Sequence, residues 1–284
     1  MPIDKEVYKK ILGEIINNTR KACIDLSLTV EPVSIYNSKM GGYPYFPKGM
    51  EYPKDENEDP MILFVQLNFE ELPELENYPK EGILQIFICG TDDTMGANPD
   101  DVKEQTNYKI IYHPTIEKDE SKLQKLPKKI KTMIDKEFDE DGDIQLMFSG
   151  VFKINGKISE NVGCLRDVTQ SKLIDKLATK YGVETSDIED SLIEDPSFSK
   201  DGMRIGGNPS YIDLDPRSEE TKKYDTLLLQ IDSQMYSKDE PHHNNTEDEY
   251  KTCFGDGGIV HFFIEKEKLL KKDFSEVLFC FDQC

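Results

Sequence analysis

The sequence has no tryptophan, and its 35 lysines and arginines are outnumbered by 56 aspartates and glutamates, for a formal net charge of -21. So small a share of positive charge argues against DNA or RNA as a direct ligand, because phosphate binding rests on basic side chains. It equally disfavours anionic membranes. No window approaches the ~18 uncharged apolar residues of a spanning helix, so no membrane partner is expected. The six cysteines (Cys23, Cys89, Cys164, Cys253, Cys280 and Cys284) are scattered without framework spacing, and neither CxxC nor HExxH occurs to suggest zinc. Between Met1 and Arg20 charged and apolar residues alternate, leaving no signal-peptide core. The expectation is a reduced, cytoplasmic protein, and neither a metal nor a cofactor is expected.

What the chain does contain is a statement made twice. Gly41-Gly42-Tyr43-Pro44 recurs as Gly206-Gly207-Asn208-Pro209, whereas a random chain with 18 glycines and 15 prolines would hold roughly 0.06 copies of Gly-Gly-x-Pro. Each copy leads into a hydrophobic strand with a glutamine near its end, Leu63-Phe64-Val65-Gln66-Leu67 and Leu227-Leu228-Leu229-Gln230-Ile231. The gap from first glycine to glutamine is nearly constant, 25 residues in one copy and 24 in the other. Next, Gly82-Ile83-Leu84-Gln85-Ile86-Phe87-Ile88 answers to Gly258-Ile259-Val260-His261-Phe262-Phe263-Ile264. Twelve extra residues in the second copy coincide with the polar stretch around 239–245, which reads as a surface loop. The expected organisation is one domain over 1–284, with two pseudo-repeats at about 30–113 and 200–284 joined by a charged connector at about 114–199.

Asp4 is a fitting N-cap for an amphipathic helix to about residue 22, with Val7, Tyr8, Ile11, Leu12, Ile15 and Ile16 at helical spacing. Strands are expected over 24–36, 62–69, 82–89, 108–113, 144–154 and 276–281. Helices are expected over 69–75, 173–181 and 265–272, with helical spacing also in 117–140, and an acidic linker over 184–201. Strands separated by irregular loops, with helices unevenly placed, give an α+β class: a mainly antiparallel sheet built from an internal duplication, with peripheral helices.

The candidate site residues follow from the repeats. Alternation puts Gln85 on the face of Ile83 and Phe87, and His261 on the face of Ile259 and Phe263; it puts Gln66 and Gln230 with Phe64 and Leu228. If buried, Gln66, Gln85, Gln230 and His261 each need hydrogen-bond partners or cost about 1–3 kcal/mol. One reading has them satisfy the backbone of the Gly-Gly-x-Pro loops; the other has them line a shared ligand cleft between the half-domains. Gly-Gly-x-Pro lacks the lysine and following helix of a phosphate loop. Gly255-Asp256-Gly257-Gly258 lacks the further acidic positions of an EF-hand, so a tight turn feeding a strand is expected. No catalytic signature surrounds His113, His242, His243 or His261.

Gly41-Gly42-x-Pro44 with Pro47 and Tyr52-Pro53, Leu63-x-x-Gln66-Leu67-Asn68, Leu228-Leu229-Gln230-Ile231, Phe254-Gly255-Asp256-Gly257-Gly258 and Asp273-Phe274-Ser275 together resemble the YwqG-like family, a bacterial domain of unknown function. The resemblance implies a single cytosolic α+β protein with an internally repeated core, and supplies no reaction. Family members often carry tryptophan before Gly-Asp and near the C-terminus, where this chain has Phe254 and Phe281; any role for an indole donor is lost. The favoured function is a non-catalytic module binding a small ligand or peptide, with Gln66, Gln85, Gln230 and His261 in its cleft. One alternative is an acidic interaction or immunity-type protein that steers a basic protein partner towards itself. Another is an enzyme with an unrecognised site.

Overall fold

The computed structural model describes residues 3–89, 94–98, 101, 104–126, 147–163, 167, 170–193, 195, 202–242 and 250–282. The chain opens with α1 (Lys5–Thr19), whose free N–H groups are capped by the Asp4 carboxylate, accepting from the amides of Glu6 at 2.9 Å and Val7 at 3.2 Å. There follow β1 (Lys21–Thr29), β2 (Lys39–Met40), β3 (Ile62–Asn68), β4 (Ile83–Ile88), β5 (Tyr108–His113) and β6 (Phe152–Asn161). After α2 (Ser171–Tyr181) and α3 (Thr185–Ile193) come β7 (Arg204–Gly206), β8 (Thr226–Asp232), β9 (Gln234–Met235), β10 (Tyr250–Thr252), β11 (Ile259–Ile264), α4 (Lys266–Leu270) and β12 (Leu278–Asp282). The fold is α+β, a large curled antiparallel sheet with helices at its periphery. Among the described residues no helix is long and apolar enough to cross a membrane.

Ten strands form one sheet in the order β12-β11-β8-β7-β1-β6-β2-β3-β4-β5, while β9 and β10 make a separate pair. At the centre β1 and β6 pair over their full common length, from Lys21↔Asn161 to Thr29↔Lys153. Outward from this pair the same succession appears on both sides: a short strand ending at a glycine pair, then a long strand, then two more. β6, from the stretch expected to be connector, thus borders β2, and β1 borders β7.

Burial is what curls the sheet. Phe64 lies wholly inside, its ring 5.9 Å from Phe148, 6.1 Å from Phe254 and 6.4 Å from Phe262. The sheet's two edge strands therefore approach each other. The Tyr108 ring is 5.3 Å from Phe279, and the Tyr108 hydroxyl and Gln105 amide donate to the Val277 carbonyl at 2.7 and 3.0 Å. Side chains, rather than a ladder of backbone bonds, close the curl. A second, smaller core joins Ile11 and Ile15 of α1 to Leu177 of α2 and Leu192 of α3.

Several sequence expectations need correction. The strand expected over 24–36 ends at Thr29, and residues 30–37 leave the sheet as a strap. Residues 69–75 turn instead of coiling, because Pro73 interrupts them and the Asn68 side chain caps the Glu70 amide at 3.0 Å. The acidic stretch expected as a linker contains α3, since Ile188 and Leu192, four residues apart, bury one face while the carboxylates stay outside. The strand expected over 144–154 begins at Phe152 and continues to Asn161. Of 117–140, residues Glu120–Lys122 form a single 3₁₀ turn, and 127–140 lie outside the described residues, as do 243–249 of the polar loop.

The alternation argument also fails at one point in each half. Phe64 is an extra residue between the pairs Leu63↔Phe87 and Val65↔Ile86, and Leu228 is extra between Leu227↔Phe263 and Leu229↔Phe262. Each bulge shifts the period by one, so Phe64 and Leu228 turn into the main core. Gln66 then shares the face of Leu63, opposite Gln85, and Gln230 that of Leu227, opposite His261. The expected companionship of Gln66 with Phe64 and of Gln230 with Leu228 does not occur.

Because Phe64 is the point at which four strands and loops meet, Phe64→Ala is expected to cost about 3–5 kcal/mol. Urea unfolding should show this as a lower midpoint at nearly unchanged slope.

Candidate functional site

In each Gly-Gly-x-Pro loop both glycines take the left-handed conformation, with φ of +69° and +73° at Gly41 and Gly42 and +71° and +73° at Gly206 and Gly207. Side chains other than glycine reach this conformation at a cost, and here space is also lacking. A Cβ on Gly41 would lie 2.8 Å from Phe148, and one on Gly206 would lie 2.6 Å from Leu75. The turn delivers the residue after proline, Tyr45 or Ser210, edge-on to the adjoining strands.

Two side chains grip that residue in the same way twice. The Tyr45 amide donates to Gln66 Oε1 at 2.9 Å, and its carbonyl accepts from Gln85 Nε2 at 2.6 Å. The Ser210 amide donates to Gln230 Oε1 at 2.9 Å, and its carbonyl accepts from His261 Nε2 at 2.8 Å. The remaining valences are largely filled. Gln66 Nε2 donates to the carbonyls of Ile35 and Asn37 at 2.9 and 2.8 Å, and Gln85 Nε2 also donates to Gln66 Oε1 at 2.8 Å. Gln230 Nε2 donates to the Gly202 carbonyl at 2.8 Å and to Ser210 Oγ at 2.7 Å.

The structure therefore brings Gln66 to Gln85 and Gln230 to His261, but places the two pairs on opposite flanks of the sheet, with four strands between β3 and β8. All four side chains are wholly buried. Both glutamines of the first flank spend every donor on protein, so no shared cleft is lined by the four. Asp256, Gly257 and Gly258 lie in and after the turn at 255–257, which feeds β11. Among the described residues no three His, Cys, Asp or Glu side chains converge to hold a metal.

Two histidines belong to these grips. Because Gln85 Oε1 can only accept, His113 must carry its proton on Nε2, 2.8 Å away. Because the Ser210 carbonyl can only accept, His261 is likewise protonated on Nε2; its bare Nδ1 is buried with no partner among the described residues. Burial lowers both imidazoles from 6.5 to about 4, so they are neutral at pH 7. Behind His261, Arg217 lies 4.2 Å over the Phe263 ring. It donates through Nε and Nη2 to the two Asp215 oxygens at 3.0 and 2.7 Å, and sits 3.1 Å from Asp167. This buried ionic group was not legible in the sequence.

Two buried cations complete the symmetry. Lys39 pairs with Gln66 across β2 and β3, and Arg204 pairs with Gln230 across β7 and β8; each stands two residues before its glycine pair. That shared position was a readable signal, and it was overlooked. From there the flanks diverge. Arg204 donates to the Asn208 carbonyl at 3.1 Å, and Asn208 is fully buried. Its amide side chain donates to the Thr19 carbonyl at 2.7 Å, and Asn161 exchanges hydrogen bonds with the Asn208 main chain at 2.8 and 2.9 Å. Asn208 is thereby enclosed, and the space that adjoins the second loop is a smaller cavity of about 360 Å³ on the Gly207 side, between Tyr78 and the exposed Lys21 and Lys266.

The first loop is open. Tyr43, the counterpart of Asn208, is 36% exposed. A cavity of about 500 Å³ lies between the strap at 30–35 and Gly42, Tyr43 and Val151, with Lys39 in its wall. The Lys39 ammonium is buried and donates to the Ser34 carbonyl at 2.8 Å. Burial lowers its pKa from 10.5 to about 7; the Glu71 carboxylate opposes that fall.

A curled antiparallel sheet with a pinned Gly-Gly-x-Pro loop on each flank defines the class of protein. The chain belongs to the family described as Domain of unknown function (DUF1963), whose model matches residues 38–284. No curated protein matched the chain.

Two expectations follow from the grips. Gln66→Leu and Gln230→Leu each strand buried main-chain groups and should lower stability by about 2–4 kcal/mol in urea unfolding, with no ligand added. The histidines bear on pH. Their folded-state pKa lies below the unfolded value, so the unfolded chain binds more protons between about pH 4 and 6.5, and stability falls as pH drops through that window. The loss should reach about 2–3 kcal/mol per histidine by pH 4. Combining His113→Gln with His261→Gln should flatten that part of the stability profile relative to wild type.

Proposed function

We propose that the protein is a cytoplasmic, non-catalytic module that binds a small ligand or short peptide in the open cavity beside its first Gly-Gly-x-Pro loop. The observation that carries this reading is the contrast between two equivalent loops. In the second, Asn161 and Thr19 enclose Asn208, and the adjoining cavity of about 360 Å³ has only exposed lysines in its wall, whereas the first exposes Tyr43 and leaves about 500 Å³ in front of a buried lysine. A space of that size lies within the range of ordinary ligand pockets. The four paired side chains are supports in this reading: they hold the cavity's wall and do not touch its occupant.

The recurrence of glycine pair, bulge, glutamine and buried cation supports an origin by internal duplication within a YwqG-like bacterial lineage. The central strands fit that origin if they are exchanged, β1 packing on the second half and β6 on the first. Duplication followed by divergence lets one copy keep a site while the other becomes structural. The excess of acid over basic residues also leaves room for a basic protein partner, whose approach the field would accelerate.

The test is a thermal-shift screen against metabolites and short peptides. A ligand present at about a hundred times its Kd should stabilise by about 2.7 kcal/mol. The stabilisation should disappear in Val33→Trp, which fills the cavity from the strap, and persist in substitutions at the second loop such as Asn208→Asp. Stabilisation indifferent to Val33 would move the site elsewhere.

A further inference from the structure

Lys39 combines three properties that rarely meet by chance. It is 1% exposed, it lies in the wall of the cavity beside the first loop, and among the described residues its ammonium has one hydrogen-bond acceptor, the Ser34 carbonyl, for three N–H groups. A lysine kept for structure alone would be expected to fill most of its valences, as Arg217 does in the other flank, where Nε, Nη1 and Nη2 all donate. Among the described residues the charges facing Lys39 do not supply an ion pair. On the turn after β3, Glu71 accepts from Asn37 Nδ2 and the Ser38 amide at 2.5 and 2.8 Å. Glu31 on the strap accepts from Thr29 Oγ1 at 2.7 Å, Lys153 stands opposite on β6 with like charge, and Gln66 on β3 is neutral. Tyr43 faces the cavity from the loop.

A lysine in these surroundings is an amine nucleophile, and the walls around it, Val30, Pro32, Val33, Ile35 and Val151, suit an apolar body. Resting on the cavity reading above, we propose that the occupant is a small aldehyde or ketone, held as an imine on Lys39 Nζ. The Nζ lone pair attacks the carbonyl carbon to give a carbinolamine. The carbinolamine C–O bond breaks as the C=N bond forms, and the oxygen leaves as water with the two protons that Nζ gives up; no oxidant, reductant or metal is consumed. The reaction is reversible by hydrolysis, so it serves binding without a further step. With the amine titrating near pH 7, about half is neutral at that pH, against on the order of one part in a thousand for an exposed lysine.

The experiment uses propionaldehyde with sodium cyanoborohydride on the intact protein at pH 7, read by intact mass and peptide mapping. Hydride from the reagent adds to the imine carbon and fixes the link as a secondary amine. The expected result is one adduct, on Lys39, formed roughly a hundredfold faster than on exposed lysines such as Lys5 or Lys9, with half-maximal rate near pH 7. Lys39→Arg should abolish it with unchanged circular dichroism, and Val33→Trp should slow it at least about tenfold although Lys39 is still present. Adducts spread over exposed lysines with Lys39 unmodified would overturn the imine. So would trapping in Val33→Trp at the wild-type rate. Thermal shifts with propionate and with the wider ligand library separate the two ideas. Val33-dependent stabilisation without trapping removes the imine and leaves the cavity standing, whereas silence in both assays removes both.

Discussion

The main chain of one residue, the one after the proline, is the point on which each flank of this molecule is hung. Tyr45 and Ser210 leave a glycine-pair turn with their N–H and C=O groups directed at the sheet, in a place where water cannot reach them. An unpaired peptide group there costs more than a hydrogen bond returns, so the strands must present an acceptor and a donor at fixed spacing. Glutamine on one strand and glutamine or histidine on the next do so. The bulges at Phe64 and Leu228 follow from the same demand, because without the extra residue Gln66 and Gln230 would point into the aromatic core.

That core imposes the second level of organisation. A sheet of ten strands can bury a large interior only by curling, and the rings around Phe64 draw the outer strands β5 and β12 towards one another. The central β1–β6 pair is the axis of the arrangement. Each of its strands lies next to the half that is more distant in sequence, which makes the two flanks mutually dependent for their inner neighbours.

Equivalent frameworks do not oblige equivalent chemistry. Where the second flank packs Asn208 against Asn161 and Thr19, the first exposes Tyr43 and leaves space above Lys39. The difference rests on a few side chains while the backbone of the two loops is the same to within a few degrees at the glycines. A buried lysine without a carboxylate partner loses much of its preference for the charged form. Packing alone thereby alters the charge state of one side chain, with no change in the motif that frames it.

Much of this was legible in the amino-acid order alone. The repeated Gly-Gly-x-Pro, the glutamines at matched intervals, the capped first helix and the strand at Tyr108–His113 all depend on local periodicity and on residue types whose backbone preferences are strong. The α+β class followed from them. Register was not legible, because one inserted residue reverses a strand's faces and leaves no mark on its hydrophobicity; nor was α3, whose two buried residues are hidden among acids. The cavity, the enclosure of Asn208 in the second loop and the surroundings of Lys39 were decided by tertiary structure, since each depends on what distant segments bring alongside: the strap at 30–35, Asn161 at the end of β6, and Thr19 at the end of α1. Sequence specifies which groups must find partners, and only the folded chain determines which of them are left with one to spare.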